Sequence, residues 1–168
     1  MKQLLKQYAA YNVWANKKII DTANQLSEEQ VNKEIISSFP SVYKTFLHLM
    51  EVENVWWERL KLVEHTTLSG WFTGDFNELS KKLLQLSQQW YDWIDQTNDA
   101  NIHHVFAYQN SKKEHFKQPV YEMLLHLFNH QTFHRGQLVT MFRQLGVDKI
   151  PPTDFIVWSR YPHPLKGR

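Results

Sequence analysis

The sequence predicts an all-α fold, a four-helix bundle, and three observations predict it. Four long segments carry apolar residues at steps of three and four, the spacing of one helix face. Glycine and proline are few, 5 and 6 residues, which disfavours a turn-rich β architecture. Cysteine is absent, so no disulfide framework can substitute for a packed core. The 168 residues fit one domain, 1–168, and can bury a sizeable core.

The first segment, residues 2–26, places Leu4, Tyr8, Tyr11, Ala15, Ile19 and Leu26 on a stripe. Ser27, followed by Glu28 and Glu29, is a start signal for a short helical turn, and residues 33–40 read as a loop. Ser41 after Pro40 is a helix cap, and the second segment runs from it to near His65. Its stripe is Val42, Leu49, Val52, Trp56, Leu60 and Val63. Asp75 caps the third segment, where Phe76, Leu79, Leu83, Leu86, Trp90 and Trp93 give the cleanest periodicity. His104–Tyr108 and Glu114–Lys117, flanking a polar turn, predict a short hairpin-like excursion between the third and fourth helices. The fourth segment follows Pro119 and stops at Gly146. Its stripe holds Met123, Leu127, His130, His134, Leu138, Met141 and Leu145. Beyond Pro151-Pro152 a helical turn is expected around Phe155–Trp158, then fraying at residues 166–168. The links after the first and third helices exceed the usual bundle connection, so a simple up-down-up-down order is not required.

Composition narrows the function classes. The net charge of +2, with scattered Lys and Arg, does not make a nucleic-acid footprint. No apolar run approaches the ~20 residues of a membrane span. The N-terminal segment lacks the apolar core of a signal peptide, and the missing cysteines agree with a reducing cytoplasm, the expected location. Seven Trp ask for burial or a binding role, and nine His stand out.

The main chemical signal is HLFNHQTFHRGQ, with His126, His130 and His134 each four apart. One such step turns a helix by about 40° and raises it by about 6 Å, so two His can share one ion. The outer pair lies about 12 Å apart along the axis, too far for bonds of about 2.0–2.1 Å to one ion. His130 and His134 occupy the apolar stripe, whereas His126 lies towards its edge. A third ligand must come from another inward helix face. His48, between Leu47 and Leu49, is the other His inside a helical apolar stretch. His65 sits at a helix end, His103, His104 and His115 in the excursion, and His163 in the tail. Metal ligands are therefore expected at His48, His130 and His134, against the bland alternative of separately satisfied core histidines. His126 reads as a supporting or structural residue.

Other features are weaker. The zinc-protease pattern H-E-x-x-H is not met, because Gln131 stands where the basic Glu would be. Asn12, Trp14 and Asn16 read as surface amides with a packed Trp, or as ligand contacts. Trp56, Trp57, Trp90 and Trp93 read as core or dimer packing. Arg135 is expected either to bind a substrate carboxylate or to pair with a surface acid.

Four motifs carry a resemblance: Tyr11-Asn-Val-Trp-Ala-Asn, Phe46-Leu-His48-Leu, Asn129-His130-Gln-Thr-Phe-His134-Arg-Gly-Gln137 and Pro152-Thr-Asp-Phe-Ile-Val-Trp158. With them the chain resembles the DinB-like (DinB/YfiT) family of proposed metalloenzymes over essentially its whole length. The resemblance implies a four-helix bundle with long crossover connections, often a homodimer. It also implies a divalent metal ion, nickel or zinc, on three His that fall at His48, His130 and His134. It further implies, for some relatives, S-transfer with a low-molecular-weight thiol of the bacillithiol type. The expected function is thus metal-dependent catalysis on a small-molecule substrate, without nucleic acid or membrane. A thiol S-transferase is placed first, then a metal-dependent hydrolase, then a non-catalytic metal-stabilised dimer. Hydrolysis needs a proton acceptor, and Asp154, Glu51 and His126 are the candidates. The physiological metal and the catalytic residues stay open.

Overall fold

The computed structural model describes residues 1–63, 66–67, 70–110, 112–160 and 162. Its elements are α1 (Lys2–Ala23), α2 (Glu28–Asn32), α3 (Val42–Leu60), α4 (Phe76–Gln96), α5 (Asp99–His103), β1 (Val105–Gln109), β2 (His115–Pro119), α6 (Val120–Gln144) and α7 (Phe155–Arg160). The helices α2, α3, α4 and α5 begin where a side chain satisfies a free N–H group. Ser41 Oγ accepts from Lys44 N at 3.1 Å. Ser27 with Gln30, and Asp75 with Glu78, form reciprocal capping boxes. Gly146, at φ 82°, supplies the left-handed residue that ends α6.

Several expected boundaries move. The first helix stops at Ala23, because Gln25 and Leu26 bond back only three residues and close a turn. Leu4 is exposed and Leu5 takes the inward position, giving the inward series Leu5, Ala9, Asn12, Asn16 and Ile19. The second long helix ends at Leu60, and Val63 is exposed. His65, His163 and the expected fraying at residues 166–168 lie outside the described residues. The one-turn helix α5, capped by Asn98, was not expected. The excursion is an antiparallel hairpin, with Val105 opposite Pro119 and Tyr108 opposite Phe116.

The four long helices form a ring in the order α1, α4, α3, α6. Thus α1 lies diagonal to α3, and α4 diagonal to α6. Side-chain partners set the directions. Lys2 reaches the carbonyl of Asp95, so α1 and α4 are antiparallel. Phe46 meets Phe76 and Trp57 meets Trp90, so α3 and α4 are parallel. Thr45 reaches Met141, whereas Trp56 meets His126, so α3 and α6 are antiparallel. Two connections, residues 24–41 and 97–119, therefore cross the bundle end diagonally, as the long links require.

The core has two apolar lobes. One gathers Leu5, Trp90, Leu127, Phe128 and Trp158; the other gathers Ile19, Phe46, Leu79, Leu83 and Phe142. Each such side chain, fully buried, contributes about 1.5–3 kcal/mol. Trp90 and Trp56 are buried and Trp57 and Trp93 pack beside them, as the packing reading requires. No helix is long and apolar enough to cross a membrane.

Candidate metal centre

His48 projects from the first half of α3, and His130 and His134 from adjacent turns of α6. Because these helices are antiparallel neighbours, the three imidazoles meet. His48 Nε2 lies 3.1 Å from His130 Nε2, which lies 3.2 Å from His134 Nε2. One ligand atom from each falls within 4.8 Å of the other two. Metal–nitrogen bonds of about 2.0–2.1 Å hold their nitrogens about 2.9 Å apart at right angles and about 3.4 Å apart in a tetrahedron. The spacings of His130 from His48 and from His134 fall between these limits.

Protonation also favours a cation there. His134 Nδ1 lies 2.7 Å from Gln137 Oε1, an acceptor, so the ring proton sits on Nδ1 and Nε2 presents a lone pair. Gln137 is held in turn by donating to Ser38 Oγ at 2.8 Å. Among three neutral rings, a single Nε2 proton on His130 can serve one neighbour well but leaves lone pairs opposed. Burial and the neighbouring rings lower His48 to about 4 and His130 to about 3, and burial lowers His134. All three are then neutral, the form that ligates. These residues fit a divalent ion. The Nδ1 of His130 is buried without a hydrogen-bond partner.

The walls come from the 33–40 loop and from α6. Phe39 stacks on His48, centroids 4.1 Å apart, and Phe133 stands edge-on to His134 at 5.0 Å. One turn before His130, the His126 ring sits 5.8 Å from the His130 ring, and Trp56 meets it at 5.5 Å. Burial, then the charge of Arg59, lowers the His126 pKa. Of the other proton acceptors considered, Glu51 accepts from the Gly70 N–H at 2.7 Å, and Asp154 lies exposed at the start of α7. Among the described residues neither bonds to the trio. His103 belongs to α5, and His115 pairs with Gln109 on the hairpin.

Two expectations about polar residues are corrected. Asn12 and Asn16 are not surface amides; each is 1% exposed. Arg135 neither faces a substrate nor pairs at the surface; it is 2% exposed and inside the bundle. Its Nη1 donates to Asn12 Oδ1 at 2.6 Å and Asn16 Oδ1 at 2.8 Å. The reason is a residue that sequence reading passed over, Glu53, which is wholly buried. Glu53 Oε1 accepts from Asn12 Nδ2, and both its oxygens lie 2.9 Å from Ser87 Oγ. Gln131 completes the cluster by donating to the Leu49 carbonyl at 2.9 Å. All four long helices contribute, beside both helices that carry the histidines. The available signal was positional: Glu53 falls between Leu49 and Trp56 at steps of four and three, in a place meant for an apolar side chain.

The comparisons agree with this architecture. The DinB family matches residues 1–162. Protein DinB of Bacillus subtilis is 30% identical over 156 residues, covering 86% of this chain and 87% of that protein. Among solved structures, YfiT from Bacillus subtilis, described as a probable metal-dependent hydrolase with an unusual four-helix bundle topology, is similar at a TM-score of 0.69. Its identity is 15%, over 87% of this chain and 90% of that one. A DinB-like protein from Bacillus cereus has a TM-score of 0.66 and 17% identity, over 85% and 91% of the two chains. The structural likenesses bear on the fold, and the match along the sequence decides the rest: this chain belongs to the DinB family.

Proposed function

We propose that this protein is a metal-dependent hydrolase of a small-molecule substrate, with His48, His130 and His134 holding one divalent ion, nickel or zinc. The observation that carries the reading is the meeting of three neutral Nε2 atoms at 3.1 and 3.2 Å. A divalent ion held by three neutral ligands supplies Lewis acidity at an open position and brings the pKa of a bound nucleophile towards neutrality. Gln137 and Ser38 keep the His134 ring in its ligating tautomer. Phe39 shields one face of His48 from water. His126, whose ring lies 5.8 Å from that of His130, is the candidate in this reading to accept the proton that an attacking water gives up. The likeness to YfiT supports hydrolysis as the reaction class.

A second reading, thiol S-transfer, is favoured by a different observation. Among the described residues the metal-type cluster contains no carboxylate. A thiol activated as thiolate needs no such base. The chain has no Cys, so the sulfur would come from a low-molecular-weight thiol.

Metal analysis and activity assays test both. Wild-type protein should carry a single divalent ion per chain, lost in His48→Ala and His130→Ala together with ester or amide hydrolysis. His126→Gln should keep the ion but lower hydrolysis by about 10²–10⁴-fold. Stoichiometric metal in both alanine variants sinks the ligand set. Turnover seen only with a thiol and an electrophile, and unchanged in His126→Gln, moves the assignment to S-transfer.

A further inference from the structure

Arg59 lies in the last turn of α3, half-buried, in a setting that its own neighbours do not explain. Its guanidinium carbon sits 4.7 Å from the Trp56 ring centre and 5.3 Å from that of Tyr108. The two rings meet edge to face at 5.0 Å. Tyr108 belongs to β1, so the hairpin closes over the guanidinium, and its hydroxyl is fixed by donating to Gln118 Oε1 at 2.6 Å. Among the described residues Arg59 has no ion pair and no side-chain hydrogen bond, and its Nε is buried without a partner. Ring faces attract a cation but accept none of its directional hydrogen bonds.

Arg135, inside the bundle, differs from it. That guanidinium also has an unpaired Nε, but Asn12, Asn16 and Thr132 accept from its other nitrogens. Arg135 is satisfied by the fold. Arg59 is partly desolvated, which lowers its pKa. Its Nε is shut in, and its two Nη groups, from which no described residue accepts, are left for an acceptor that arrives from outside.

Position adds the second argument. A continuous line of ring contacts runs from Arg59 to Trp56, to His126, to His130. Trp56 lies eight residues beyond His48 on the same helix, about 12 Å along its axis. The guanidinium thus stands on the α3–α6 groove, on the far side of His126 from the histidine trio.

We propose that Arg59, braced by Trp56 and Tyr108, binds an oxyanion of a ligand, a carboxylate foremost, about 12–16 Å along α3 from His48. The two Nη groups, presented end-on, match a planar carboxylate in a bidentate pair, and a phosphate offers the same oxygen acceptors. The substrate class that follows is an elongated small molecule, acidic at one end and with its reacting group towards the trio. That last clause rests on the hydrolase reading; binding of the oxyanion does not.

Binding is measured by calorimetry and by the indole N–H resonance of Trp56, with benzoate, phenyl phosphate and neutral benzamide as probes. Benzoate should bind the wild type and His130→Ala alike and shift the Trp56 resonance, whereas benzamide should not. Arg59→Met should weaken benzoate about ten- to a hundredfold, and Arg59→Lys by less, since the charge stays and the fork is lost. Phenyl phosphate binding more tightly than benzoate would assign phosphate as the natural acid while keeping the site. No benzoate or phenyl phosphate binding by the wild type overturns the proposal. So does equal binding by Arg59→Met, or, should that variant not fold, by a folded Arg59→Lys with undiminished affinity. Metal content of the same samples reports on the histidine trio separately: absent metal with intact benzoate binding sinks the hydrolase reading and leaves the oxyanion site standing.

Discussion

Between the carboxyl of Glu53 and the guanidinium of Arg135 stand two amides. Asn12 and Asn16 each accept from Arg135 and donate towards Glu53, so opposite charges are joined through dipoles rather than as a direct pair. Burial raises Glu53 to about 7, although the bonds from Asn12 and Ser87 and the charge of Arg135 pull the other way. Since its unfolded value is near 4.5, the folded protein binds the extra proton between those values. The contribution of Glu53 to stability is therefore full below about 4.5 and lost as pH rises through about 7. Urea denaturation across pH 5 to 8 should show wild type losing stability relative to Glu53→Gln as pH rises; a flat difference would refute the shifted carboxyl. Glu53→Ala leaves the buried donors of Asn12 and Ser87 without their acceptor and should cost about 1–3 kcal/mol for each. At this scale the meeting of His48, His130 and His134 was legible, since three imidazoles in apolar stripes have few uses. The Glu53 cluster was not. Asn12, Asn16 and Arg135 each looked ordinary alone, and their meaning depends on helices that only the tertiary fold brings together.

Helix ends carried much of the readable information. Ser41, Asp75 and Gly146 mark boundaries because the capping chemistry is local, involving a side chain and backbone three residues on. Asp75 Oδ1 accepts from Glu78 N at 2.8 Å while Glu78 returns a bond to the Asp75 N–H. Asp75→Ala should lower stability by about 0.5–2 kcal/mol, read as a drop in melting temperature, with metal content unchanged. The element missed, α5, is a single turn, too short to display a period. The overshoot of the first helix has a similar cause: Leu26 keeps the step of seven, but the backbone has already left the helix. The hairpin was readable from its polar turn, and its role was not. Nothing local indicates that Tyr108 will reach back to Trp56 and Arg59.

At the scale of the molecule, the ring order places the metal-type ligands on neighbours that are distant along the chain. His48 and His130 are 82 positions apart, and an ion between them would pin α3 to α6. An ion that binds only the folded form stabilises it by about 2.7 kcal/mol at a hundred times its dissociation constant. For a chain of this size that is a rise of about 5–10 °C in melting temperature. Differential scanning calorimetry with and without a chelator should show the rise in wild type and its loss in His130→Ala; an equal rise in both would place the stabilising ion elsewhere. The crossovers were legible only as long links. Which helices they made diagonal depended on packing between faces, and the family resemblance implied it where periodicity could not.

The 82-position separation also has a consequence for biosynthesis. A nascent chain is made at about 5–20 residues per second, and for several seconds it holds His48 with no second ligand opposite. During that time α3 offers one imidazole, too few to retain an ion. The α6 histidines emerge late, and capture of the ion must then wait for α6 to dock against α3. An ion held by all three histidines would therefore be captured only after α6 is made and docked, and the pool of free ion would matter then rather than earlier.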